Sequence, residues 1–123
     1  MNIWGKTWYA TSRLCDVLVL RLRSPEGLSH PDMIGDLSNV FSAPDWTDVR
    51  RVLVDFGQLT YGNSMLLEAL LRLHLRVRQR GGRLVLCGVN PVLGEILSVS
   101  RFDTIWESVP TVDDGLQAIV KGD

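Results

Sequence analysis

The chain lacks most of the features that mark secreted, metal-binding or membrane proteins. Only two of its 123 residues are cysteines, Cys15 and Cys87, and neither has the spacing of a zinc site or a C-x-x-C motif. No apolar run reaches the roughly 18 residues of a membrane-spanning helix. The N-terminus also has no basic segment followed by an apolar core, which a signal peptide requires. We therefore expect a cytoplasmic protein with reduced thiols.

An excess of charge of one sign is also missing. The chain has 13 Lys and Arg against 14 Asp and Glu, a formal net charge of −1. Such a balance gives no field that recruits nucleic acid or an anionic membrane, so we expect neither as a partner. Arginines do cluster locally, which predicts a solvated helix face and leaves a functional basic patch as the alternative. The cluster consists of Arg72, Arg76, Arg78, Arg80 and Arg83.

Catalytic and cofactor-binding motifs are absent as well. The sequence contains no G-x-G-x-x-G, P-loop, G-x-S-x-G or paired-carboxylate motif, so we expect no enzyme activity, cofactor or metal. His30 and His74 have no neighbouring ligand pattern, and His74 is predicted to lie at the boundary of the core. Asp55 ends a predicted central strand, a common place for ligand-binding groups, but we expect it to order the following loop.

What is present is the pattern of one α/β domain. The apolar fraction of 46% and the charged fraction of 22% are ordinary globular values, and 123 residues can bury one core. We predict a single domain over residues 1–123, with 1–12 as an extension or edge strand. Strand and helix periods alternate along the chain. They predict strands at 8–12, 16–23, 52–56, 84–89 and 105–106, and helices at 31–41, 65–80, 90–97 and 111–121.

The helix predicted over 65–80 divides into three sectors in helical projection. One sector is a core stripe formed by Leu66, Ala69, Leu70, Leu73 and Val77. A solvent sector holds Glu68, Arg72, Arg76 and Gln79. Between them runs an apolar ridge of Leu67, Leu71 and Leu75, which indicates either a partner-binding surface or, for Leu67 and Leu71, a contact with another helix. Leu75 falls in the polar sector and is expected to be exposed.

The segment 51–70 resembles the signature of the STAS family, the anti-sigma-factor-antagonist-like domains. A Val/Leu-rich strand runs through the turn Tyr61-Gly62-Asn63-Ser64-Met65 into a Leu-rich helix. Further along, 80–86 resembles the family's R-G-G-x-L-x-L step, 88–92 its short helix entry, and 100–106 its G-L-x-x-L/I-F/I segment. The resemblance implies an α/β fold, a STAS-like mixed β-sheet of about four to five strands with about four α-helices.

The resemblance also implies a site at this turn. In the family a serine there is the phosphorylation switch, and that position falls on Met65, which accepts no phosphate. Ser64 is the remaining candidate phosphoacceptor, although Asn63 or Ser64 is needed to cap the helix. The implied partner is a serine-kinase-type anti-sigma factor or another STAS protein. We name the predicted docking surface by its residues: Tyr61, Gly62, Asn63, Ser64, Met65, Leu67, Leu71 and Leu75.

Two other functions remain open at this point. STAS folds can hold nucleotides or lipids, and a pocket of a small-ligand sensor is expected near 24–28 and Asn63, although the sequence offers no glycine cradle or converging charges for it. Alternatively the chain forms a homodimer or larger homo-oligomer, for which Trp4 and Trp8 near the N-terminus offer an interface.

Overall fold

A computed structural model describes residues 8–14, 16–23, 48–59 and 64–121, together with Gly35, Leu37 and Asn39. The strands and helices of this part of the chain alternate after an initial hairpin. In chain order they are β1 (Tyr9–Leu14), β2 (Val17–Arg23), β3 (Arg51–Gln58), α1 (Ser64–Gln79), β4 (Arg83–Cys87), α2 (Pro91–Val99), a 3-10 turn (Phe102–Thr104), β5 (Glu107–Val109) and α3 (Val112–Lys121).

The five strands form one mixed sheet in the order β1-β2-β3-β4-β5. β1 is antiparallel to β2, whereas β2, β3, β4 and β5 run parallel to one another. Parallel neighbours need crossover connections, and α1 and α2 supply those between β3, β4 and β5. Because β3 and β4 point the same way, α1 and α2 both begin at the carboxyl end of the sheet.

The two faces of the sheet carry separate apolar clusters. Side chains alternate along a strand, so Leu18, Leu20 and Leu22 of β2 lie on one face, whereas Val17 and Val19 lie on the other. α1 and α2 cover the leucine face, and α3 covers the valine face. The sheet is therefore the middle of three layers.

The end of α1 is determined by two consecutive glycines. Gly81 has φ +73°, a left-handed conformation that favours glycine. The Gly82 amide then donates to the Val77 carbonyl at 2.9 Å, which satisfies one of the last carbonyls of the helix. Space is the constraint at Gly82, because a Cβ built there would lie 1.7 Å from the carbonyl oxygen of Arg50. The turn after α1 thus contacts the start of β3 directly.

The predicted mixed α/β architecture is confirmed, with five strands in the expected order along the chain. Three of the four predicted helices are present as α1, α2 and α3. The fourth, over 31–41, lies largely outside the described residues, although Gly35, Leu37 and Asn39 are helical. Within α1 the core stripe is buried and the predicted solvent sector is exposed.

Two predictions were wrong in detail. The strand expected at 105–106 begins at Glu107 instead, since the Trp106 ring packs into the core, where it stacks on Phe102 with ring centroids 5.3 Å apart. Trp8 is a core residue with 1% of its surface exposed, so it is not a surface for a second copy. Trp4 and Trp46 lie outside the described residues.

Candidate docking surface

The described part of the predicted docking surface runs along α1 from Met65, near the carboxyl end of the sheet, to Leu75. β3 ends at Gln58, and the Leu59 amide turns back to donate to the Phe56 carbonyl at 3.0 Å. α1 starts at Ser64. The described part of the chain does not include Tyr61, Gly62, Asn63 or the side chain of Ser64. The role of Ser64 as helix cap or phosphoacceptor therefore stays a prediction.

Met65, in the first turn of α1, is exposed over 45% of its surface. Its thioether is polarizable and unbranched, which suits a contact surface that adapts to a partner. It has no hydroxyl, so no kinase can phosphorylate this position. The exposed start of α1 therefore offers an apolar contact at Met65.

The apolar ridge of α1 is graded in exposure rather than uniform. Leu67 is half-buried and packs against the main core, where it borders a narrow apolar crevice between α1 and α2. Leu71 is also half-buried. Leu75 is exposed over 54% of its surface, as expected from its place in the polar sector. α2 therefore lies beside the ridge at Leu67, while Leu75 at the far end of the ridge and Met65 in the first turn of α1 are exposed.

α2 extends the apolar surface beside α1. Val92 and Val99 are exposed, and Ile96 lies half-buried between them at the edge of the crevice. On the solvent side of α1, Glu68 and Arg72 form an exposed i, i+4 ion pair at 3.2 Å. Such a pair contributes only about 0.3–0.5 kcal/mol to stability.

Asn90 links the start of α2 to the segment just after β3, a role that the sequence reasoning missed. Its side-chain oxygen accepts the Leu93 amide at 2.9 Å and so caps α2. Its side-chain nitrogen donates to the Leu59 carbonyl at 3.1 Å, in the segment that leads from β3 towards α1. The signal available in the sequence was Asn90-Pro91, which predicted the helix start but not the second hydrogen bond.

Asp55 orders the end of β3, as predicted. Its Oδ1 accepts the Gly57 amide at 2.8 Å, and its Oδ2 lies 3.8 Å from the Arg21 Nε. Cys87 is the register partner of Asp55 on β4 and is fully buried. Burial, and secondarily the charge of Asp55, raise the pKa of the Cys87 thiol to about 12. The thiol therefore stays protonated at neutral pH and is not a nucleophile here.

The described residues show neither a metal site nor a membrane-spanning helix. They contain no group of three His, Cys, Asp or Glu side chains placed to hold a metal ion. None of the helices described is long and apolar enough to cross a membrane. The segment 24–28, where a small-ligand pocket was expected with Asn63, lies outside the described residues.

Comparison with known proteins bears on the family and the fold of the chain. A family model described as "Mlab, STAS domain" matches residues 27–111. The candidate anti-sigma factor antagonist BtrV of Bordetella bronchiseptica is 39% identical over 57 residues, which cover 46% of this chain and 49% of that protein. The match thus spans about half the length of this relative.

Solved structures share the fold over nearly the whole chain. The anti-sigma-factor antagonist (STAS) domain protein of Planctomyces limnophilus has a TM-score of 0.75 at 23% identity, covering 91% of this chain and 97% of that one. The anti-sigma factor antagonist SpoIIAA in its unphosphorylated form has a TM-score of 0.74 at 17% identity, covering 94% and 97%. A three-layer domain with this sheet order has the STAS fold. With the family model matching more than half of its length, the chain belongs to the STAS domain family.

Proposed function

We propose that this chain is a non-catalytic protein-docking module in partner-switching signalling, acting in the cytoplasm as an anti-sigma-factor-antagonist-like protein. Its partner would be a serine-kinase-type anti-sigma factor or another STAS protein. The family membership and the similarity to proteins named as anti-sigma factor antagonists support this class of function.

The observation that carries the proposal is the exposure of Met65 in the first turn of α1. In the family resemblance this is the position of the phosphoacceptor serine. A phosphate there adds nearly two negative charges to the surface, which opposes docking of an apolar partner surface. With methionine in its place, the docking surface keeps its charge whether or not a kinase is active. The module would thus bind constitutively unless Ser64 is modified.

The switch is tested with three proteins: the natural chain, Ser64→Ala and Met65→Ser. Each is incubated with the serine-kinase-type anti-sigma factor with and without ATP, and the tryptic peptide is analysed by mass spectrometry. We expect no phosphate on the natural chain or on Ser64→Ala, and phosphate on the new serine of Met65→Ser with release of the kinase. Stoichiometric phosphate on Ser64 of the natural chain would contradict constitutive docking.

The docking surface is tested by two charge insertions of matched exposure. Leu75 on α1 and Val120 on α3 are exposed over 54% and 59% of their surfaces, but they lie on opposite faces of the sheet. Titration calorimetry with the same partner should show binding weakened about tenfold or more by Leu75→Glu, because a charge replaces an apolar contact. Val120→Glu should bind like the natural chain. Equal losses in both variants would exclude the α1 surface as the contact.

A further inference from the structure

A second candidate site lies at the other end of α1, where the helix ends beside the starts of β4 and β5. An open groove runs there along the edge of the sheet. It is lined by His74 and Arg78 of α1, Arg83 and Leu84 of β4, Ile105 and Glu107, with Gly81 and Gly82 at one end. The groove therefore combines cationic, aromatic and apolar groups within one concave surface.

The charges of this groove do not balance. Arg83 forms an ion pair with Glu107 and also donates to the Ala118 carbonyl at 2.7 Å, so its charge is compensated and its side chain is held in place. Arg78 is exposed and has no acidic partner among the residues that the structure describes. A cation near a helix C-terminus complements the helix dipole, but that effect requires no groove around it. One positive charge thus remains available to a ligand.

His74 adds a second polar group whose bonding is incomplete. Its Nδ1 is buried without a hydrogen-bond partner among the described residues, and the residue lines the groove, so Nε2 is the nitrogen that a ligand there would have to use. Its ring meets the Trp106 ring edge-on, with centroids 5.9 Å apart. Trp106 is itself only 3% exposed, and its Nε1 is likewise buried without a partner.

We propose that this groove binds a phosphate group, held between the guanidinium of Arg78 and the Nε2–H of His74. A tetrahedral oxyanion offers acceptors to both donors at once, and charge-assisted hydrogen bonds of this kind are stronger than neutral ones. Arg83 and Glu107 form the fixed wall on the sheet side, and Leu84 and Ile105 suit the carbon part of a phosphate ester. The groove lies at the opposite end of α1 from Met65 and adjoins the docking surface only at Leu75, and the proposal does not depend on the proposed function.

The protonation of His74 makes the proposal testable. In the protein without ligand, burial and then the positive charge of Arg78 lower the pKa of His74 below its usual value of 6.5. The charged groups that face it are Arg78, Arg83 and Glu107. A bound dianion beside Nε2 favours the imidazolium, so binding must raise the pKa of His74. By linkage the affinity then increases as the pH falls through that pKa.

The experiment is an NMR titration of the full chain with inorganic phosphate and, separately, with sulfate, against sodium chloride at equal ionic strength. Sulfate remains a dianion throughout the range from about pH 5.5 to 7.5, so any pH dependence of its binding reports the protein. We expect saturable shifts of the amides of Arg78 and of Gly81–Leu84, and a raised His74 pKa, with either oxyanion but not with chloride. Tighter binding of a phosphate monoester than of inorganic phosphate would identify an ester as the ligand.

Two variants that each remove one arginine charge from α1 provide the test and its control. Arg78→Gln should weaken phosphate binding about tenfold to a hundredfold, the range for losing a charge-assisted hydrogen bond. Arg72→Gln removes the same charge from the same helix, but Arg72 is paired with Glu68 on the solvent side. It should therefore bind like the natural chain. Shifts that are not saturable, that appear equally with chloride, or that both variants reduce alike would overturn the proposal.

Discussion

The turn after α1 makes a sharp prediction about two neighbouring glycines. Gly82 lies against the backbone of Arg50, and a Cβ there would be 1.7 Å from its carbonyl oxygen. Real Cβ atoms do not approach within about 3 Å of another heavy atom, so Gly82→Ala has to displace backbone by roughly an ångström. At Gly81 no atom lies within 4 Å of the added Cβ, and only the left-handed φ of +73° is unfavourable.

The expected magnitudes follow from these contacts. The displacement in Gly82→Ala puts at risk the Gly82–Val77 and Arg83–Arg50 backbone hydrogen bonds, both 2.9 Å long. Two lost hydrogen bonds of about 1 kcal/mol each, with residual strain of about 1 kcal/mol, lower the free energy of unfolding by about 3 kcal/mol. Gly81→Ala adds only the left-handed conformation of a residue with a Cβ, which costs about 1 kcal/mol.

Urea unfolding followed by circular dichroism separates the two variants. With an m value of about 2 kcal/mol per molar urea, the midpoint should fall by about 1.5 M for Gly82→Ala and by about 0.5 M for Gly81→Ala. The reasoning is refuted if Gly82→Ala is no less stable than Gly81→Ala, since the close approach to Arg50 would then be easily relieved.

Two further predictions concern the core and the thiol. Leu73→Ala, at a position with no exposed surface, should lower the free energy of unfolding by about 2–5 kcal/mol, whereas Leu75→Ala on the same helix should change it by less than about 0.5 kcal/mol. Comparable losses in urea midpoints would refute the assignment of the core stripe. Because the pKa of Cys87 is raised to about 12 and the side chain is fully buried, iodoacetamide at pH 8 should leave Cys87 unmodified in the native protein and label it after unfolding. Peptide mass spectrometry measures the label, and rapid labelling of the native protein would contradict the burial.

Elements with a strong apolar period could be predicted from the sequence. β3 and β4 read as apolar runs because both of their faces are covered, and the sectors of α1 followed from its spacing. β5 could not be found in this way, since Glu107 and Ser108 are exposed and only Val109 is partly buried. Because Ile105 and Trp106 are both apolar, the strand was predicted two residues before the start of β5. Trp106 is instead a core residue that lies in the turn before the strand.

The candidate sites show the same division. The exposure of Leu75 followed from helical projection, whereas that of Met65 did not. The second hydrogen bond of Asn90 could not be predicted in this way, because it joins residues 31 positions apart in the chain. The groove at the end of α1 was foreseen only as an arginine cluster. His74, Arg83 and Trp106 come together through the crossover from β4 to β5, a contact that no local sequence period encodes.

The position of α3 has a consequence for the order in which the protein can fold. α3 follows all five strands along the chain, yet it alone among the described helices covers the valine face of the sheet. In a nascent chain that has assembled β2, β3 and β4 with α1, none of the described helices yet covers the face bearing Val17, Val19, Leu53, Val85 and Cys87 until residues 112–121 leave the ribosome. During synthesis that face is open to chaperones and to association with other chains, and the closing of α3 over it is the step that ends the exposure.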